Sequence, residues 1–158
     1  MSQLTSMSRR TFLVGFGASA WAMSPMNALA NQSVIVHRDP NCVCCSRWAE
    51  YMRQAGYIVS IEETKDMPAI RSRLGVPAHI AGCHTAEIAG YVVEGHVPAA
   101  AVERLLKERP QAIGLAVPGM PIGSPGMEGR KVVLYDVVIF DRSGVKPYMR
   151  FLGKDAVG

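Results

Sequence analysis

An α/β fold, with helices packed on a mixed sheet and one Pro/Gly/Met-rich loop, is predicted by three observations. Short runs rich in β-branched residues recur along the chain, as expected of buried strands. Between them lie segments whose apolar residues return at helical spacing and which close on glycine. The 158 residues are 49% hydrophobic and 19% charged, with mean hydropathy +0.12, enough apolar material for the core of one domain. The net charge of +4 is thin and scattered, which argues against a nucleic-acid-binding surface.

Val34-Ile35-Val36 reads as the first buried strand. After Pro40 and Asn41, Trp48, Tyr51, Met52 and Ala55 fall on one helical face, which Gly56 closes. Tyr57 to Ile61 alternates as a strand. Asp66 is placed to cap a second helix with Met67, Ile70 and Leu74 on its apolar face and Gly75 at its end. Ile88 to Val93 is strand-like but broken by Gly90, a pattern that suits two short strands in a hairpin. Pro98 suits the first turn of a third helix carrying Val102, Leu105 and Leu106. Nine of the twenty residues 110–129 are Pro or Gly, so this stretch is expected to be a constrained surface loop. Val132 to Phe140 is a strongly apolar strand, and Val145 to Phe151 is placed to pair back on it. The predicted order is β-α-β-α-β-β-α-loop-β-β, without internal repeats.

The first thirty residues carry targeting signals rather than fold. Arg9-Arg10 precede an apolar run from Phe12 to Met23, and Ala28-Leu29-Ala30 has the small-x-small pattern of a cleavage site. The paired arginines with Phe12 and Leu13 close behind are similar to bacterial twin-arginine leaders, which export folded proteins. The apolar run is too short, and too interrupted by Gly15, Gly17, Ser19 and Pro25, to span a bilayer. Cleavage between Ala30 and Asn31 is therefore expected, with membrane contact only in transit. A single mature domain of residues 31–158 would retain 15 Lys/Arg against 13 Asp/Glu, and all four cysteines and all four histidines. The expected destination is oxidising and would permit disulfides.

Cys42-Val43-Cys44-Cys45 lies at the start of the first helix, where backbone N–H groups and the helix dipole favour thiolates. Cys83 follows about forty residues later, with His84 beside it. Three readings compete. Two structural disulfides would suit the compartment, with at least one of the adjacent Cys44 and Cys45 reaching Cys83. A thioredoxin-type thiol–disulfide oxidoreductase without permanent metal would use the C-x-x-C pair Cys42 and Cys45, although the interposed Cys44 would divert its mixed disulfides. A metal site uses all four thiols as ligands. Zinc prefers two separated C-x-x-C arms, whereas C-x-C-C suits sulfurs that bridge several soft ions, which points to Cu(I).

Other soft or imidazole donors extend that site. Met120 and Met127 sit in the Pro/Gly loop, which has little capacity to bury them, and so become candidates for thioether ligands or a lid. Met52 and Met67 read as core filler. His84 is placed to ligate metal or to hydrogen-bond a cysteine sulfur, and His37 and His96 are candidates for supporting the ligands. His79 has no such placement. No general acid–base pair, nucleotide motif or flavin signature is visible, so an enzymatic activity would rest on copper redox chemistry alone.

Four ordered blocks carry a family resemblance: Asp39-Pro40-Asn41-Cys42-Val43-Cys44-Cys45 with Trp48; Cys83-His84-Thr85; Gly90 to Pro98; and Leu115 to Pro121 through Ser124 to Gly129. Together they resemble the CopG-type family of periplasmic copper-resistance proteins, once catalogued as a domain of unknown function. The resemblance runs from about Val34 to Phe140. It implies a thioredoxin-like fold holding a cysteine-bridged, multinuclear Cu(I) cluster on Cys42, Cys44, Cys45 and Cys83. It further implies a part in copper resistance and homeostasis outside the cytoplasm, with Cu(I)/Cu(II) cycling as one route. The partners it implies are copper ions and periplasmic copper-handling or electron-transfer proteins.

Overall fold

The computed structural model describes residues 31–157; the predicted leader lies outside the described residues. Eight strands form one mixed sheet and three α-helices pack on it. Strand β1 (Ser33–Arg38) leads into helix α1 (Val43–Gln54) and strand β2 (Ile58–Glu63), which pairs parallel to β1. Helix α2 (Met67–Leu74) and a 3₁₀ turn at Ala78–Ile80 follow. The antiparallel pair β3 (His84–Ile88) and β4 (Tyr91–Glu94) comes next, then helix α3 (Ala99–Glu108). Strands β5 (Gly114–Ala116), β6 (Leu134–Asp141), β7 (Gly144–Leu152) and β8 (Asp155–Ala156) complete the order β2-β1-β3-β4-β5-β6-β7-β8.

The local signals act as expected at most element ends. The Asp66 carboxylate accepts from the Ala69 N–H at 3.0 Å and caps α2, while Gly75 closes that helix at φ 71°. The break at Gly90 is a two-residue hairpin turn, with Ala89 and Gly90 both at positive φ (48° and 87°), the geometry that matches strand twist.

Alternation along β4 and β5 divides the core. Tyr91, Val93 and Leu115 join the large cluster with Trp48 and Met52 of α1 and Val102, Leu105 and Leu106 of α3. Val92 and Ala116 turn to the other face, against Val76, Ile80 and Phe140, with Leu74 of α2 alongside. Helices thus cover both faces.

Three expectations are corrected. Residues 110–129 are not wholly irregular, because Gly114–Ala116 form β5 between β4 and β6. A side chain at residue 114 would collide with the Val92 carbonyl, so glycine here permits strand pairing rather than preventing it. The third strand begins at His84, which places that residue inside the sheet. The strand read from Val132 begins at Leu134, leaving Val132 and Val133 exposed before it.

Candidate metal centre

Sheet register explains how thiols forty residues apart meet. In the antiparallel β1–β3 ladder Arg38, the last residue of β1, pairs with His84, the first of β3. The chain leaving β1 and the chain entering β3 therefore lie at the same sheet end. One runs on to Cys42 and α1, and the other has just passed Cys83.

The C-x-C-C segment is held from below. Arg38 donates from Nη1 to the carbonyls of Asp39 (3.3 Å), Pro40 (3.2 Å) and Cys42 (3.2 Å), and from Nη2 to Glu63 (2.7 Å). The Asp39 side chain accepts from the Asn41 N–H at 2.8 Å. Cys42 occupies the N-cap of α1, and its side chain makes no capping hydrogen bond. First-turn N–H groups without a side-chain cap leave the positive end of the dipole facing the sulfurs.

The four Sγ atoms lie within 4.8 Å of one another. Cys42 and Cys45 form a disulfide, whereas Cys44 and Cys83 are unbridged. Cys44 Sγ lies 3.6 Å from Cys42 Sγ and 3.5 Å from Cys83 Sγ. Cys45 is buried; the other three are half-buried. Converting the bridge to two thiols takes two electrons and two protons and leaves four thiols in one small volume. Such a set of soft donors fits Cu(I).

Two imidazoles pack against each other in the interior, and neither belongs to the four-sulfur group. His84 is fully buried, 4.4 Å from the Trp48 ring and edge-on to His96 at 5.0 Å between centroids. Neither of its ring nitrogens has a hydrogen-bond partner among the described residues. Burial, then the neighbouring His96 and Arg71, holds its pKa well below the usual 6.5, so it is neutral. In His96, Nδ1 lies 2.8 Å from the Pro125 carbonyl and therefore carries the proton, leaving Nε2 as an unpartnered acceptor. Burial also lowers the pKa of His96, opposed by that hydrogen bond and by Glu128. Unpartnered, neutral, buried imidazole nitrogens are the form in which histidine offers a lone pair to a soft metal.

The remaining predicted residues separate. His37 is buried on β1, with Nε2 2.8 Å from Glu87 and Nδ1 3.2 Å from Glu62, so both nitrogens face carboxylates. Met127 shares an open cleft of about 580 Å³ with Cys44, along with Val43, Arg47, Ile122 and Lys131. Met120 is exposed and lies outside that cleft. The loop is seated on α1 by Gly126, where a Cβ would stand 2.8 Å from the Cys44 carbonyl and 2.9 Å from the Trp48 nitrogen.

Arg71 and Glu94 have no counterpart among the residues read from sequence. Glu94 is fully buried and pairs with Arg71 at 2.9 Å beside the Cys83 segment. A lone glutamate in an apolar strand was the one available signal, and its partner lies on another element.

Comparison with known proteins places the chain. A family model described as a protein of unknown function, DUF411, matches residues 80–127. Two solved structures are also similar. The copper resistance protein copG in form 1 is 46% identical, covering 78% of this chain and 99% of its own, with TM-score 0.73. Form 2 is 43% identical, covering 81% and 99%, with TM-score 0.69. This chain belongs to the CopG family of copper-resistance proteins. No curated protein matches. Within this chain, the DUF411 match spans Cys83, His84, Glu94, His96, Met120 and Met127 but not the C-x-C-C segment.

Proposed function

We propose that this CopG-family chain binds Cu(I) as a multinuclear cluster bridged by Cys42, Cys44, Cys45 and Cys83, and so contributes to copper resistance in the periplasm. The observation that carries this reading is the gathering of four sulfurs within 4.8 Å from two distant chain segments. Bridging also limits charge, because thiolates shared between ions place fewer uncompensated negative charges in a half-buried site. His84 is the candidate additional ligand, Met127 the thioether at the cleft beside Cys44, and Met120 a donor or guard further out. His96 packs edge-on against His84 and supports it, whereas His37 is held by Glu62 and Glu87. Bound copper would supply one-electron chemistry, exchanged with a periplasmic copper-handling or electron-transfer protein. The strand–helix–strand start with cysteines at the helix N-terminus supports a thioredoxin-like classification. Export is supported by the Arg9-Arg10 leader and the Ala30/Asn31 cleavage pattern. Among the described residues no helix is long and apolar enough to cross a membrane.

A second reading is favoured by the Cys42–Cys45 bridge itself, which has the spacing and helix position of a thiol–disulfide oxidoreductase. Anaerobic titration of the reduced protein with Cu(I) separates the two. More than one tightly held copper per chain, falling in Cys83→Ser, is expected of the cluster. Absence of tight copper binding, together with dithiol activity that survives Cys83→Ser, would establish the oxidoreductase instead.

A further inference from the structure

We propose that Glu94 is a positioning residue for Cys83, the one cluster thiol that does not ride on helix α1. The inference rests on the copper reading above. Three sulfurs belong to a continuous segment held by the first helical turn and by Arg38. Cys83 stands alone in the short connection between the Ala78–Ile80 turn and β3. Its neighbours are tied on both sides to the end of β4. The Gly82 N–H donates to Glu94 Oε1 at 2.7 Å, and the His84 carbonyl accepts from the Gly95 N–H at 2.9 Å. The Gly82 carbonyl in turn accepts from Arg71 Nη2 at 2.7 Å, while Arg71 Nε donates to Glu94 Oε1 at 2.9 Å. Thr85 Oγ1, two residues beyond Cys83, donates to Glu94 Oε2 at 2.6 Å. One carboxylate therefore receives three hydrogen bonds, from Gly82, Thr85 and the Arg71 that also holds Gly82.

The packing leaves this segment no slack. A Cβ on Gly82 would stand 2.7 Å from Gly95 Cα, and one on Gly95 would stand 2.9 Å from the Val117 carbonyl. Buried ion pairs contribute little net stability compared with apolar residues of the same volume. What such a pair does supply is direction, through short charge-assisted hydrogen bonds with fixed geometry. Here the direction is spent on a two-residue stretch whose cysteine lies 3.5 Å from Cys44. A shared metal site tolerates ligand displacement of only about 0.5 Å. Glu94 lies outside the four-sulfur group and acts through the backbone on either side of Cys83.

The test uses the full chain, reduced and metal-free, with two readouts: the rate of iodoacetamide alkylation at each cysteine, mapped by peptide mass spectrometry, and Cu(I) affinity in competition with bathocuproine disulfonate. Glu94→Ala should speed alkylation of Cys83 about tenfold while Cys44 changes less than about twofold, and weaken Cu(I) binding about tenfold, the scale of losing buried hydrogen bonds. Glu94→Gln keeps an acceptor for Arg71 and Gly82 and should restore both readouts to within about threefold. A folded Glu94→Ala protein with wild-type Cys83 alkylation and copper affinity overturns the proposal, as does a Gln variant as impaired as Ala. If Glu94→Ala does not fold, Thr85→Val removes one of the three hydrogen bonds. It should speed Cys83 alkylation about threefold, and an unchanged rate overturns the proposal. Wild-type protein that takes up no Cu(I) would refute the copper reading, while the alkylation readout would still decide the role of Glu94.

Discussion

His84 and His96 meet edge-on in the interior, and both are neutral because burial opposes the charged form. That has a consequence for folding of the metal-free protein. With pKa values lowered in the folded state, the unfolded chain binds protons more readily once pH falls below about 6.5. Stability is thus complete above that pH and declines as pH falls toward the folded values, the reverse of a histidine that gains an anionic partner. Each group contributes a slope of up to about 1.4 kcal/mol per pH unit within the window. Urea denaturation of metal-free protein should show a loss of about 1–2 kcal/mol between pH 7.5 and 5.5. His96→Gln, whose amide can still donate to the Pro125 carbonyl, should flatten the decline. A wild-type curve that is level across this range would contradict the assignment. At this scale the gathering of the four cysteines was legible in the sequence because their spacing is itself chemical information. Glu94 was not, because burial of a carboxylate is decided by an arginine twenty-three residues away on α2, and no local pattern announces that pairing.

The loop from Pro118 to Gly129 shows why elements made of glycine and proline resist reading from sequence. Composition rightly excludes a helix there, but not the three-residue strand just before it. That strand depends on backbone contact between Gly114 and Val92 rather than on side-chain periodicity. Helices α1 and α2, by contrast, were legible from apolar spacing together with Gly56, Asp66 and Gly75, since caps and periods are local properties. The seating of the loop is set by two glycines with different demands. Gly119 has φ 77° and open space around it, so Gly119→Ala meets only the backbone cost of the left-handed region, about 1–2 kcal/mol. Gly126 has φ 84° and in addition abuts the Cys44 carbonyl, the Trp48 nitrogen and His96 Nδ1. Gly126→Ala must therefore lift the loop from α1 as well, and should cost at least about twice as much. Equal urea midpoints for the two variants would show that the loop is not pressed on the helix. The same lift would widen the cleft shared by Cys44 and Met127.

Across the whole molecule, the β1–β3 ladder turns a local cysteine cluster into a long-range one. Cys42, Cys44 and Cys45 remain near one another in the unfolded chain, so copper held by these three alone binds folded and unfolded forms with little discrimination. Such binding contributes little to stability, because only preference for the native state shifts the folding equilibrium. Cys83 changes this. Its sulfur reaches Cys44 only when the intervening α1-β2-α2 segment has folded, closing a loop of thirty-nine residues. In the unfolded chain, closing a loop of that size carries an entropic cost of several kcal/mol. Copper bridging all four sulfurs should accordingly raise the thermal midpoint of the wild-type protein, by about 4 kcal/mol in equivalent stability at a thousandfold excess over the dissociation constant. In Cys83→Ser the remaining thiols can still take up copper, yet the midpoint should rise by less than about half as much. Differential scanning calorimetry under anaerobic conditions, with copper content measured on the same samples, makes the comparison. Equal rises in both proteins would mean that the sheet brings Cys83 close without engaging it. The copper site would then belong to the C-x-C-C segment and not to the fold.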